Sequence, residues 1–115
     1  MSRRSPSRSS TNQRTQAPVF AALGDETRLS LLTKLGDGQP RSISQLTRGS
    51  RLTRQAITKH LRVLERARIV HCSRAGRESR FILDPRPLDD LRTFLASVSA
   101  QWDEALASLK LFVEK

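Results

Sequence analysis

The chain has 115 residues, the size of one domain, and 37% of them are hydrophobic, which is enough for one modest core. Seventeen Arg and four Lys against eleven acidic residues give a net charge of +10 and a pI near 11.5, which favours a polyanionic partner such as DNA, RNA or an anionic membrane. The single cysteine excludes an intramolecular disulfide framework. The apolar runs are too short for a helix that crosses a bilayer. We expect no secretory signal, because no apolar segment follows Met1.

The positive charge is concentrated in the middle of the chain. Residues 41–80 hold eleven basic residues against two acidic ones, whereas residues 81–115 hold four against six. Residues 1–16 carry four Arg, no acid and, after Met1, no large apolar residue, so we predict a disordered basic N-terminal arm. This arm is interpreted either as a solubilising tail or as a segment that contacts DNA phosphates or the minor groove. The folded domain is predicted over residues 17–115.

From residue 17 the apolar residues recur at helical spacing and predict two consecutive helices. Val19, Phe20 and Leu23 form one face of the first helix. Asp25 is a good N-cap for the second, whose leucines fall between residues 29 and 35.

Residues 43–64 predict a helix–turn–helix. Ser42 opens a short helix, Gly49 marks a turn, and a longer helix is predicted over 53–67. The longer helix has apolar residues on one face only, and the other positions carry side chains that can hydrogen-bond base edges or phosphates, with no acid before Glu65. A recognition helix in the major groove requires this pattern. The candidate DNA-binding residues are Thr53, Arg54, Gln55, Thr58, Lys59, His60 and Arg62. For His60, packing is the alternative to DNA contact.

Two β-rich segments, 69–73 and 79–83, flank Gly76 and predict a hairpin. Arg77 lies beside the tip, where it would reach phosphates or the minor groove, or would be an ordinary exposed loop residue. Glu78 could hold Arg77 in place. The candidate DNA-binding residues of the hairpin are Arg74, Arg77 and Arg80.

The segment from about residue 85 to the C-terminus predicts one long helix. Its apolar residues recur in alternating steps of three and four, which forms a heptad seam. The seam could pack within one monomer, but so short a chain offers little surface to cover it, and we therefore expect a homodimer. The predicted interface residues are Val19, Phe20 and Leu23 of the first helix with Leu88, Leu91, Leu95, Val98, Trp102 and Leu109 of the last.

The predicted order of elements is that of a winged helix–turn–helix: mostly α with a small β-hairpin, and with N- and C-terminal dimerisation helices. Over about residues 17–113 the chain resembles the ArsR/SmtB family of bacterial winged-helix repressors. The resemblance is carried in order by VFAALGDETRLSLLTKL, by ITKHLRVLERARIV at the recognition helix and by SRAGRESRFILDP at the wing. It implies a homodimeric DNA-binding regulator, and the last segment is similar to a branch of the family that does not sense metals.

The sequence departs from the metal sensors of that family at their ligand positions. Where they carry Cys-x-Cys on the first helix of the helix–turn–helix, this chain has Ser42 and Ser44, which are poor ligands for soft metals. The positions of the second metal site hold Pro85, Pro87, Val98 and Gln101. His71 and Cys72 are adjacent on one strand and point to opposite faces, which argues against a shared metal. We expect no metal and no cofactor, with Cys72 inert or, alternatively, a redox sensor.

The sequence therefore predicts a transcriptional regulator, most simply a repressor, that binds double-stranded DNA at an inverted-repeat operator as a homodimer. We expect a bacterial cytoplasmic protein, associated with the nucleoid when bound, whose small-molecule or protein effector the sequence does not name. It is not expected to be an enzyme, since no nucleophile–base set, paired carboxylates or phosphate-binding Gly loop is present. The alternatives are an architectural or RNA-binding protein without a preferred sequence and a protein-interaction module that uses the terminal helices.

Overall fold

The computed structural model describes residues 13–114, which form five helices and a three-stranded antiparallel sheet with strand order β1-β3-β2. The predicted winged helix–turn–helix, mostly helical with a small β-hairpin, is confirmed. In chain order the elements are α1 (Gln13–Leu23), α2 (Glu26–Leu35), β1 (Arg41–Ser42), α3 (Ile43–Thr47), α4 (Arg54–Arg66), β2 (Val70–Ala75), β3 (Glu78–Leu83) and α5 (Pro85–Glu114).

Helix α1 begins earlier than the sequence predicts. Residues 13–16, assigned above to a disordered arm, are helical, so the predicted boundary between arm and domain at residue 17 is wrong. The physical reason is Gln16, which is only 1% exposed and lies on the same buried face as Val19 and Ala22. The rest of the predicted arm, residues 1–12, lies outside the described residues.

Short polar side chains fix where the helices begin. The carboxylate of Asp25 accepts a hydrogen bond from the backbone N–H of Arg28 at 3.0 Å, which confirms the predicted N-cap. Ser42 and Gln45 form a capping box at the start of α3, with reciprocal bonds of 3.1 and 2.8 Å. Thr53 caps α4 by accepting from the backbone N–H three residues on, at 3.1 Å. Local chemistry thus sets both helices of the helix–turn–helix.

The hairpin of β2 and β3 turns at Gly76, whose φ of 67° is a left-handed conformation that favours glycine. A third strand, β1, pairs with β3 and was not predicted from the sequence. Its register places Arg41 opposite Phe81 and Ser42 opposite Arg80. Because Ser42 both ends β1 and caps α3, this short strand attaches the wing to the helix–turn–helix.

The core lies between the helix–turn–helix and the sheet. Phe81 of β3 is fully buried, and Leu61 and Leu64 of α4 are buried with it in the same cluster. Burying a side chain of this size stabilises the fold by about 1.5–3 kcal/mol. The buried hydrophobic residues are Val19, Ala22, Leu31, Leu35, Leu46, Ile57, Leu61, Leu64, Ile69, Val70, Phe81 and Leu91.

The first half of α5 packs on its own chain. The rings of Phe20 on α1 and Phe94 on α5 meet edge to face with centroids 6.4 Å apart. Val19 and Leu91 are 8% and 6% exposed and belong to the core of the single chain. Little of either side chain is left for a second chain to cover, because α1 and the start of α5 already cover each other, and their place in a dimer interface stays a prediction. Leu23 and Leu88 are half-buried against the same core.

The second half of α5 has no such cover. A helix of 30 residues is about 45 Å long, and every residue from 99 to 114 is exposed. Trp102 is 63% exposed. This half leaves the predicted seam open to solvent in the single chain.

Asp84 links the end of the sheet to the start of α5. Its buried carboxylate accepts from the Arg86 guanidinium at 2.7 Å and from the Arg86 backbone N–H at 3.0 Å, and it lies 2.7 Å from His71 Nε2. These hydrogen bonds, those of the Arg86 side chain foremost, hold the pKa of Asp84 well below its ordinary value.

The variant Asp84→Asn is expected to be about 1–2 kcal/mol less stable at neutral pH, because it loses the charge that Arg86 and His71 bind. A carboxyl whose folded-state pKa is depressed adds stability above its unfolded pKa of roughly 3.9, and that contribution is lost as pH falls towards the folded-state pKa. The difference between wild type and variant should therefore shrink between pH 5 and pH 2 in urea unfolding. Asp89→Asn, in an exposed pair with Arg92, is the matched control. A difference that does not vary with pH would contradict this account.

Candidate nucleic-acid interface

Helix α4 has one buried face and one exposed basic face. Ile57, Leu61 and Leu64 anchor it to the core, and on the other side the N-terminal turns are open to solvent. There, Thr53 caps the helix, and the side chains that together form one shallow surface are Arg54, Gln55, Thr58 and Lys59. With no acid in the first turn, this face can donate to base edges and phosphates.

A groove joins the recognition helix to the wing. Arg54 Nη1 donates to Ser44 Oγ on α3, and Arg54 and Arg77 line a cavity of about 160 Å³ together with residues 42–44. The structure thus places two predicted DNA-binding arginines from different elements at one groove. Ser44 was not predicted as a site residue, because in the sequence it marks only the position of an absent cysteine ligand. Its contact with Arg54, ten positions away, is visible only in the folded chain.

The arginines of the wing differ in whether they form an ion pair. Arg80 Nε lies 3.3 Å from Glu78 Oε1, because residues two apart on a strand share a face. The expectation that Glu78 holds Arg77 is therefore wrong. Arg77, in the turn, and Arg74 are exposed and make no ion pair with any residue that the structure describes. Both remain free to meet phosphate.

Arg62, at the far end of the predicted DNA-contacting row, is held by the protein. Its Nη1 donates to Glu65 Oε1 at 2.8 Å, and its guanidinium lies over the Phe81 ring, 5.7 Å from the centroid. Arg62 is still exposed enough to approach a backbone phosphate, but it is less available than the arginines at the start of the helix.

His60 faces the body of the protein. Its Nδ1 lies 3.1 Å from Arg28 Nη1 and 3.7 Å from Asp25 Oδ2, and the side chain is about three-quarters buried. The hydrogen bond from the Arg28 backbone N–H, foremost, and the nearby Arg28 guanidinium hold the pKa of Asp25 below its ordinary value. Of the two interpretations given above, the contacts favour packing rather than DNA contact for His60.

The serines at the metal positions of the ArsR/SmtB sensors have other partners. Ser42 is the N-cap of α3, and Ser44 accepts from Arg54. In the part of the chain that the structure describes, no three His, Cys, Asp or Glu side chains lie close enough to hold a metal ion. Over the same residues, no helix is both long and apolar enough to span a membrane.

Comparisons with known proteins agree with this geometry. A helix-turn-helix domain model matches residues 23–73. The chain is 33% identical over 96 residues to the HTH-type transcriptional regulator Rv2034 of Mycobacterium tuberculosis, covering 84% of this chain and 86% of that one. It is also similar to the solved structure of an ArsR-like transcriptional regulator from Rhodococcus sp. RHA1, with 39% identity, a TM-score of 0.72, and 84% and 91% of the two chains covered. The chain belongs to the ArsR family of winged helix–turn–helix regulators.

As an ArsR-family member, the protein is a DNA-binding transcriptional regulator and not an enzyme. A second relative, the uncharacterized HTH-type regulator YuzN of Bacillus subtilis, is 38% identical over 79 residues, covering 64% of this chain and 86% of its own. The residues that match the domain model extend from the end of α1 into β2, so they include α4. The individual DNA contacts remain predictions.

Base contacts and phosphate contacts should respond differently to substitution. Arg54→Ala and Gln55→Ala should each weaken binding to a specific duplex by about 1–3 kcal/mol and leave random-duplex binding much less affected. Arg77→Ala should weaken both and reduce the salt slope by about one unit. The measurement is the affinity for a duplex selected by the wild type and for a random duplex, at several salt concentrations.

Two controls accompany these variants. Ser44→Ala separates the anchoring of Arg54 from its DNA contact, because it removes only the hydroxyl that Arg54 binds. Arg92→Ala removes an exposed arginine on α5, away from the groove, and should change neither affinity. Equal losses of specific and random binding in Arg54→Ala and Gln55→Ala would mean that α4 does not recognise sequence.

Proposed function

We propose that this ArsR-family regulator is a homodimeric repressor that binds an inverted-repeat operator. The observation that carries the proposal is the open apolar seam on the second half of α5. This seam lies in the slightly acidic part of the chain, residues 81–115, whereas the basic face of α4 lies in the strongly basic part, residues 41–80. The seam favours a second copy as its cover, and a pair of identical basic faces then favours a symmetric site in DNA.

The argument for a second copy begins with the exposed side chains of the seam. Trp102, Leu109 and Phe112 recur at heptad spacing, and Leu106 and Val113 widen the stripe. Monomeric proteins rarely leave so continuous an apolar row in water. A heptad row is complementary to another helix of the same kind, and a two-fold axis pairs each row with its own copy. Leu95 and Val98, exposed and half-buried, extend the row towards the body.

The operator geometry follows from that symmetry. Two recognition helices related by a two-fold axis enter successive major grooves on one side of the duplex, with half-site centres about 34–36 Å apart or slightly more. The DNA sequence that suits both is an inverted repeat. A dimer clamped across a promoter in this way prevents access by polymerase, so repression is the simplest regulatory outcome. The protein would act in the bacterial cytoplasm, at the nucleoid.

Metal is not proposed as the signal. Ser42 and Ser44 are engaged as a helix cap and as a partner of Arg54, and neither offers a thiolate. We propose instead a small-molecule or protein effector of a class that is not yet assigned.

The direct test is a footprint on the DNA upstream of the protein's own coding sequence, followed by affinity measurements on the protected duplex and on a random duplex at the same salt concentration. We expect a protected inverted repeat that binds at least about a thousandfold more tightly than random DNA. Comparable affinities for the two duplexes would favour an architectural protein. Adding zinc, cadmium, cobalt or arsenite is expected to leave operator binding unchanged, and chelator-sensitive release by stoichiometric metal would contradict the proposal.

The dimer is tested at Trp102. Trp102→Ala should raise the dimer dissociation constant by about 30-fold or more, because a buried interface Trp typically contributes about 2 kcal/mol or more. Sedimentation velocity across a concentration series measures this. Leu111→Ala is the matched control, since Leu111 is 68% exposed on the same half of α5 but lies off the seam. A wild-type protein that is monomeric at micromolar concentration, or equal effects of the two substitutions, would rule out the proposed interface.

A further inference from the structure

Arg28 links three helices: it belongs to α2, and its guanidinium contacts α1 and α4. Its Nε donates to the carbonyl oxygen of Ala22 at 2.6 Å and Nη2 to that of Ala21 at 3.5 Å, both at the end of α1. Its Nη1 lies 3.1 Å from His60 Nδ1 on α4. Arg28 itself belongs to the first turn of α2, where its backbone N–H is held by the cap residue Asp25.

Each of these contacts is chemically favourable for the groups involved. The last carbonyls of a helix have no partner within the helix, and a cation beside them is stabilised by the helix dipole. Arginine presents its donors in a rigid planar fork, so bonding both ends of the fork fixes the distance between the two acceptors. The acceptors here are the end of α1 and the side chain of His60. With Nδ1 as the acceptor, the imidazole is in the form that carries its hydrogen on Nε2.

The position of His60 on α4 gives this link its significance. It lies directly after Lys59 in the chain, but its side chain turns towards α2 while the exposed row from Arg54 to Lys59 faces away from the core. The buried cluster that anchors α4 also includes leucines of α2, so apolar packing holds these two helices together. The contact between Arg28 and His60 adds a directional polar link between α4 and the end of α1.

We propose that Arg28 is a positioning residue that couples α1 to the recognition helix through His60 and so sets the alignment of α4 for base contacts. The inference rests on the sequence-specific DNA binding of the proposed function. At the other end of the link, Phe20, adjacent to Ala21, packs on Phe94 of the helix that carries the proposed dimer seam. Helix α1 therefore lies between α5 and the link that Arg28 makes to α4.

A positioning role differs from a merely structural one in what it changes. Loss of positioning should impair contacts that need exact alignment, which are those to base edges, and should spare contacts to phosphates, which tolerate small shifts. Loss of structure should lower both kinds of binding together with the temperature of unfolding.

The experiment compares three substitutions on the full chain. Arg28→Lys keeps the charge but replaces the planar fork by a single ammonium, which no longer fixes the distance between the Ala22 carbonyl oxygen and His60 Nδ1. His60→Leu removes the acceptor, and His60→Asn keeps an oxygen acceptor close to the position of Nδ1. For each, the affinity for the duplex that the wild type selects from a random pool, the affinity for a random duplex and the midpoint of thermal unfolding are measured. Arg92→Lys, on the exposed face of α5, is the matched control.

Arg28→Lys and His60→Leu are expected to weaken binding to the selected duplex about tenfold, and random-duplex binding by less than about twofold, the size expected for one charge-assisted hydrogen bond. The double variant should be no weaker than either single one, because both remove the same contact. His60→Asn should bind within about threefold of wild type. All variants should stay folded at the assay temperature.

Several results would overturn the inference. Equal losses on both duplexes, a His60→Asn variant as weak as His60→Leu, additive effects in the double variant, or wild-type behaviour of Arg28→Lys would each do so. Variants that unfold at the assay temperature would assign Arg28 and His60 a structural role instead. If the wild type itself shows no preference for the selected duplex, the proposed function fails first and this inference fails with it, a result visible before any variant is examined.

Discussion

The burial of Ile57, Leu61 and Leu64 along one side of α4 is the constraint on which the rest of the structure depends. A helix buried on one side presents the other side to solvent, so fixing the apolar face also fixes the orientation of the side chains that start at Arg54. The sheet supplies the opposing surface through Phe81. Because that strand also pairs with β1, which leads directly into α3, the wing, the turn and the recognition helix are held as one unit.

Helix α5 divides between two tasks along its length. Its first half completes the core through Leu91 and packs on α1 through Phe94, whereas every residue of its second half, from 99 to 114, is exposed. The second half therefore adds little to the core of the single chain. This division allows an interface of helices to form or rearrange there without disturbing the core. Any rearrangement that reaches the first half, however, also reaches α1.

Signals within a few residues, such as helix caps and apolar periodicity, predicted the helices well. Contacts between residues that are far apart in the sequence were not predicted. The recognition helix was predicted at 53–67 and observed at Arg54–Arg66, because Thr53 caps it and its apolar face is periodic. Strand β1 was missed because two residues carry no periodicity and their partner, Phe81, lies forty positions away. The heptad spacing identified an apolar row but not which of its residues pack within the chain, so the burial of Leu91 in the single-chain core was not predicted. The inward orientation of His60 depends on Arg28, which is 32 positions away and cannot be inferred from the helix alone.

The distribution of charge along the chain suits DNA binding at one part of the molecule and the proposed dimer contact at another. The eleven basic residues between positions 41 and 80 lie in the helix–turn–helix and wing, while the residues from 81 onward carry a small acidic excess that a polyanion would repel. This distribution favours DNA binding at α4 and leaves the seam near Trp102 to the proposed second copy. DNA binding and the proposed dimer formation also differ in how they depend on salt. DNA binding releases counterions and weakens steeply with salt, whereas the proposed contact of apolar rows releases water and does not. Under the proposed function, salt would therefore act on DNA occupancy and leave the dimer assembled, so that the dimer would be the unit that binds to and leaves DNA.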